Sequence, residues 1–226
     1  MGKRITLYCG NFGSGKTEIA LHHAKELALS GQRVTLVDLD IVNPYFTSSQ
    51  KREELEALGV HVISPVYAGT TVDVPAISPE IYAVFRQTNP VIFDVGGDPI
   101  GATALGRFQE DFHQAGGAEV FFVLNAYRPF TRNAQDAYRM LQEIEQRSGQ
   151  KASGIINNTN LADQTELSHL IEGDRVAKEL SEIAQIPVRY HAATQDILKQ
   201  AAEEGAALMG EGIALTISNR PAWQKY

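Results

Sequence analysis

The chain has 226 residues, 43% of them hydrophobic and 21% charged, with a formal net charge of −7 at pH 7. That length suits one α/β domain, and the acidic balance argues against a broad electrostatic grip on nucleic acid or anionic lipid. The single cysteine, Cys9, excludes internal disulfides and thiolate-pair metal centres, and no apolar run approaches the ~20 residues that a membrane span needs. The opening Met1-Gly2-Lys3-Arg4 runs straight into an apolar stretch and does not read as a signal peptide, so a cytoplasmic location is expected.

Apolar β-rich runs alternate with helix-period segments along the whole chain. Residues 4–9 predict a short buried strand and 18–29 a helix; Gly31 stops it, and 33–38 predict a second strand. Residues 51–58 predict a short helix closed by Gly59, followed by a strand at 60–63. Ser78-Pro79-Glu80 is a helix start, with a capping hydroxyl and proline in the first turn. A strand at 90–94, a helix at 103–114 and a strand at 119–124 come next. The helix predicted over 131–147 spaces Ala134, Ala137, Tyr138, Leu141 and Ile144 by three and four, which puts them on one buried stripe. Strands at 153–157 and 187–190, helices at 175–184 and 194–202, and an edge strand at 213–217 complete the reading. Continuous rather than alternating hydrophobicity in the strands fits a sheet covered on both faces. The expected fold is therefore α/β, a doubly wound, mainly parallel sheet with helices on both faces, in a single domain over 1–226.

The chemistry concentrates at four places. Gly10-Asn11-Phe12-Gly13-Ser14-Gly15-Lys16-Thr17 matches G-x-x-x-x-G-K-[ST] between a strand and a helix. Its glycines let successive backbone N–H groups turn inward on an anion, and the helix beginning near Glu18 adds its positive end. Lys16 is placed to reach β and γ phosphates and the Thr17 hydroxyl to ligate Mg²⁺. The second place is Asp38-Leu39-Asp40 at a strand end, where one carboxylate would serve Mg²⁺ and the other a water. The third is Phe93-Asp94-Val95-Gly96-Gly97-Asp98. Asp94 closes an apolar strand as a Mg²⁺-directed carboxylate does, and the segment from Gly97 to Gly106 is the candidate switch, with Asp98 in it and Asn43 in a second switch loop.

The fourth place is Asn157-Asn158-Thr159-Asn160. Guanine recognition wants a carboxylate where Asn160 stands, because an amide cannot accept from both N1–H and the exocyclic amine. Asn157 suits adenine, whose N6 donates and whose N7 accepts. ATP and Mg²⁺ are the expected cofactors.

With these four stations in this order, the chain resembles the MinD/ParA-like ATPases, the CobQ/CobB/MinD/ParA nucleotide-binding domain within the SIMIBI class of P-loop proteins. The resemblance runs from Ile5 to about Ala202. It implies a seven- or eight-stranded, mainly parallel sheet forming one nucleotide-binding domain, and slow ATP hydrolysis coupled to dimerisation or to a partner, with Asp40 positioning the attacking water, Thr17 and Asp94 serving Mg²⁺, and Asn157 contacting adenine. One departure stands out. Many members carry a lysine at the second position of the phosphate loop that reaches the other subunit's nucleotide, and here that residue is Asn11.

The expected role is a nucleotide-controlled switch for an unidentified protein partner, with an ATP-dependent homodimer as one form of it. The alternative is an ATP-dependent ligase or kinase acting on a small-molecule substrate, resembling dethiobiotin synthetase or the cobyrinate amidating enzymes. Nucleic-acid and membrane partners are not expected. Arg128 and Arg132, after a strand on the functional edge, are candidates for a phosphate or a substrate anion. His22 and His23 point about 100° apart on a helix and do not chelate together. Tyr45 and Phe46 form a candidate docking loop, residues 69–75 a long functional-edge connection, and Trp223 a packing anchor.

Overall fold

The computed structural model describes residues 3–40, 52–64, 78–97 and 99–216. Asn43, Tyr45, Phe46, the 69–75 connection, Asp98 and Trp223 lie outside the described residues. In chain order the elements are β1 (Ile5–Cys9), α1 (Lys16–Leu29), β2 (Val34–Leu39), α2 (Arg52–Ala57), β3 (Val60–Ile63), α3 (Glu80–Val84), β4 (Val91–Val95), α4 (Pro99–Gly106) and α5 (Gln109–Gln114). They continue with β5 (Ala118–Leu124), α6 (Ala134–Ser148), β6 (Gly154–Asn157), α7 (Leu167–Ala184), β7 (Val188–Ala193), α8 (Gln195–Glu203) and β8 (Glu211–Ala214).

The strands form one sheet in the order β3-β2-β4-β1-β5-β6-β7-β8, and each neighbouring pair is parallel. β1, β2 and β4 are buried along their whole length, which is why they read as unbroken apolar runs. Alternation nevertheless sorts their side chains onto two faces. Ile5, Leu7, Cys9, Val91, Phe93 and Val95 share a core with Phe85, Phe108, Phe112, Leu141 and Val176. Tyr8, Leu36, Ile92, Phe121 and Val123 point the other way, onto Ile19, Leu21 and Ala24 of α1 and Leu55 of α2. Each large side chain so buried contributes about 1.5–3 kcal/mol, so both faces hold the sheet.

Three helices differ from the sequence expectation, each for a local reason. The helix expected at 103–114 is two, α4 and α5, broken at Arg107 and the fully buried Phe108. At the break Gly106 lies against the end of α6, where a Cβ would come within 2.5 Å of the Arg147 carbonyl oxygen. α7 begins at Leu167, eight residues ahead of the expected Arg175. Gly173 masks that early start in the sequence, since glycine is a poor helix former. It is required there because a Cβ would lie 2.1 Å from Thr159 Oγ1. α6 starts at Ala134, three residues later than expected, because Asn133 is extended and its side chain accepts from Asp136 N to cap the helix.

The stripe on α6 buries Ala134, Ala137 and Leu141 fully, with Tyr138 and Ile144 half-covered against the same core. The expected edge strand exists as β8, two residues earlier, running parallel beside β7. No helix among the described residues is long and apolar enough to cross a membrane.

Candidate nucleotide site

All four chemical stations lie at the carboxyl ends of strands, β2, β4, β1 and, beyond β5, β6, as the topology of an open parallel sheet requires. The phosphate loop joins β1 to α1. Gly10, Gly13 and Gly15 have φ of 139°, 70° and 91°, the region open to glycine, so the pattern of glycines is the pattern of the turn. Gly10 is also fixed by space: a Cβ there would meet the Val123 carbonyl oxygen at 2.4 Å. Gly15 caps α1 in the left-handed conformation, and Lys16 and Thr17 open the helix with Glu18 in its first turn. The Lys16 ammonium donates to the Asn11 carbonyl at 2.9 Å, so it spans the loop. Ser14 is fully buried, and its hydroxyl has no hydrogen-bond partner among the described residues.

Asp38 and Asp94 are register partners across β2 and β4, and both are buried. Asp38 Oδ1 accepts from Asp40 N at 2.9 Å, which bends the chain out of β2 and turns Asp40 to a half-buried position. The two carboxylates two residues apart therefore do not share a direction. The Thr17 side chain lies close enough to Asp94 to help hold its pKa down, so the strand-end carboxylate and the loop hydroxyl face the same place. Burial pushes the Asp94 carboxyl up to about 6; Lys16 and Thr17 pull it down, whereas Asp40 and Glu18 push it up. Its Oδ2 is buried with no hydrogen-bond partner among the described residues. A buried, unmatched carboxylate oxygen beside a threonine hydroxyl is a hard-oxygen donor set, and it fits Mg²⁺. No group of three His, Cys, Asp or Glu side chains among the described residues is arranged to hold a metal ion. Such an ion would therefore take its remaining ligands from phosphate and water, which is the ordinary habit of Mg²⁺.

Gly97 sits directly on the phosphate loop. A Cβ on it would come within 2.5 Å of the Phe12 nitrogen and Cα and 2.9 Å of the Asn11 carbonyl carbon, all backbone atoms. Gly97→Ala is accordingly expected to displace either the loop or the start of α4 and to weaken nucleotide affinity by roughly tenfold or more, since backbone cannot yield as a side chain does. Titration with a fluorescent nucleotide checks this, and unaltered affinity would mean that the contact is dispensable.

Asn157 is placed differently from the expected base contact. It has no accessible surface; its amide donates to the Leu170 carbonyl at 3.0 Å and its oxygen accepts from Thr159 N at 3.1 Å. The structure gives it the task of tying β6 to α7. Asn158, one residue on, reaches the phosphate loop, where its amide donates to the Ser14 carbonyl at 2.7 Å. Asn160 folds back on its own turn, donating to Asn158 O at 2.7 Å and accepting from Ala162 N at 3.2 Å. Adjacent residues leaving a strand point to opposite sides, so the pair Asn157-Asn158 carried the signal but not the choice.

Arg128 also reaches the loop, donating from Nε to the Gly13 carbonyl at 2.9 Å. Arg132, exposed in the same segment, makes no hydrogen bond to it among the described residues. The amide of Asn11 donates to the Pro129 carbonyl, so the side chain at the position of the absent lysine holds its own β5–α6 loop.

The fold is shared by solved structures of low sequence identity. Among solved structures, FtsY from Thermotoga maritima superposes with a TM-score of 0.55 at 18% identity, covering 87% of this chain and 63% of that one. FtsY from Mycoplasma mycoides gives 0.52 at 19% identity, covering 82% and 58%. The signal recognition particle 54 kDa protein from Aeropyrum pernix, solved with GDP, gives 0.52 at 18%, covering 83% and 41%. The present chain thus spans less than two thirds of each. No protein-family model matches it, and no curated protein does.

Proposed function

We propose that the chain is a Mg²⁺-dependent ATP-binding protein and slow ATPase of the MinD/ParA-like kind, working in the cytoplasm as a nucleotide-controlled switch for a protein partner. The observation that carries this reading is the meeting of Thr17 with Asp94 beneath a glycine-shaped phosphate loop, with Asp38 alongside in register. Thr17, Asp94 and Asp38 would hold Mg²⁺, which when bound supplies positive charge against the phosphate oxygens.

The chain's own residues account for the rest. Loop N–H groups and Lys16 bind the phosphates, and the turn at Asp38 aims Asp40 out of the sheet, where we assign it the orientation of the attacking water. ATP is favoured over GTP because Asn160 puts an amide where guanine needs a carboxylate. The contact of Gly97 with Asn11 and Phe12 supports a switch, because a group entering the loop is felt directly by the segment leading into α4.

Asp40→Ala should leave the affinity for a non-hydrolysable ATP analogue within about twofold and lower turnover by roughly 100-fold or more, the usual contribution of a positioned acid or base. Phosphate release under saturating Mg²⁺–ATP measures it; normal turnover would remove Asp40 from the mechanism. Partner capture with ATP, ADP and no nucleotide tests the switch itself, and an identical profile in all three would end that part of the proposal.

A second reading, ATP-dependent ligation or phosphorylation of a small-molecule substrate, is favoured by one contact. Asn11 is turned onto Pro129 of its own chain, which leaves a nucleotide-sandwich dimer without its usual bridging side chain. Light scattering with an ATP analogue separates the two: an ATP-specific dimer supports the switch, and product formed from a defined carboxylic acid supports the ligase.

A further inference from the structure

The loop between β5 and α6 is held against the phosphate loop at two points. Asn11 donates to Pro129 O and Arg128 Nε donates to Gly13 O. Thr131 Oγ1 closes the turn on the Asn125 carbonyl at 2.8 Å. Between them Phe130 is kept at φ 65°, a conformation that a bulky residue holds only when its surroundings dictate it. Arg128 is thus a placed side chain. Only its Nε is engaged, and the two terminal amino groups of its guanidinium make no hydrogen bond or ion pair among the described residues.

The sheet order decides which end of a nucleotide those groups would meet. β1 is flanked by β4 on one side and β5 on the other. The Mg²⁺-directed pair, Thr17 and Asp94, and the half-buried Asp40 lie toward β4 and β2. Arg128 and Asn158 grip the loop from the β5 and β6 side, at Gly13 and Ser14. A triphosphate with its terminal group and metal at Asp94 must run its nucleoside end toward Arg128.

We infer that Arg128 is a nucleotide-binding residue that supplies, from within the same chain, positive charge to the α,β-phosphate stretch on the nucleoside side, with Asn11 as the positioning residue that fixes its loop. This rests on the nucleotide-binding reading above and goes beyond it. It assigns the absent loop lysine no substitute at the γ-phosphate and gives the chain a cation that treats diphosphate and triphosphate alike.

The test is calorimetric titration of the full chain with Mg²⁺–ADP and a Mg²⁺-bound non-hydrolysable ATP analogue. Arg128→Ala should weaken both by the same factor, roughly tenfold to hundredfold, the range for a lost hydrogen bond to a charged group. Arg128→Lys should keep most of the affinity and Arg128→Gln should lose as much as Ala. The ligand-free melting temperature should stay put, which a merely structural role would not allow. Asn11→Ala should weaken both nucleotides less than Arg128→Ala, and the double variant should be no weaker than Arg128→Ala, because the two act as one unit.

A loss confined to the ATP analogue would put Arg128 at the terminal phosphate and overturn the assignment. Retained affinity in the Ala or Gln variant would overturn it too. A wild-type chain that binds neither nucleotide removes the parent reading and this one with it, whereas a binding wild type beside an equally binding Arg128→Ala removes this one alone.

Discussion

Lys16→Ala is expected to cost about 2–5 kcal/mol of ATP affinity, or roughly 30-fold to several-thousand-fold, by leaving phosphate charge unpaired inside a closed loop. Lys16 is 6% exposed and its ammonium lies 2.9 Å from the Asn11 carbonyl, so it sits inside the loop. Binding exchanges one neutral acceptor for charged phosphate oxygens, and that gain is what the alanine variant forfeits. The fold should survive, because Ile19, Ala20, Leu21 and Ala24 seat α1 on the sheet. Calorimetry with Mg²⁺–ATP, alongside a far-ultraviolet spectrum for folding, makes the measurement. Unchanged affinity in a folded variant would mean that this loop does not hold a triphosphate.

Asp94→Asn is expected to act in opposite directions on the empty and the loaded protein. Asp94 is 1% exposed and burial pushes its pKa up to about 6, so the fold works against its ionised form. For a carboxyl raised above its unfolded value of about 4, the stability contributed is full below pH 4 and falls away as pH rises through 6. Replacing it by the neutral isostere should therefore make the ligand-free protein more stable at pH 8 by up to about 3 kcal/mol, with the gap to wild type closing by pH 4. With Mg²⁺–ATP the order should reverse, since the amide keeps the acceptor for Thr17 but supplies no charge to the ion. Thermal melts of both proteins at pH 4, 6 and 8, with and without Mg²⁺–ATP, decide it. A variant no more stable than wild type at pH 8, or one equally stabilised by Mg²⁺–ATP, would take Asp94 out of the ion site.

Both experiments concern residues that the amino-acid order exposes directly. The glycine spacing from Gly10 to Gly15, with Lys16 and Thr17 following, fixes a turn that only a few backbone conformations satisfy, and the φ values fall where those glycines allow. Asp94 was legible because it ends an unbroken apolar strand, and Asp38 and Asp40 because they end another. The parallel sheet was legible for the same reason: strands covered on both faces have no polar side to alternate with.

The remainder depends on distances along the chain that local pattern does not measure. The early start of α7 was hidden because Gly173 weakens a helical pattern, while its reason, the close approach of Thr159, lies fourteen residues upstream. Asn157 and Asn158 are equivalent as neighbours in sequence; the packing of α7 onto β6 takes one and the phosphate loop takes the other. Arg128 and Asn11 stand 117 positions apart, and nothing in either neighbourhood names the other. Only the adjacency of β1 and β5 in the sheet brings the β5–α6 loop over the phosphate loop, through Asn11 to Pro129 and Arg128 to Gly13. The sequence by itself determined the loop that shapes itself around an anion and the carboxylates at the strand ends, because backbone conformation and strand burial are local. The tertiary structure decided which amides and which arginine reach that loop, because strand order sets those contacts.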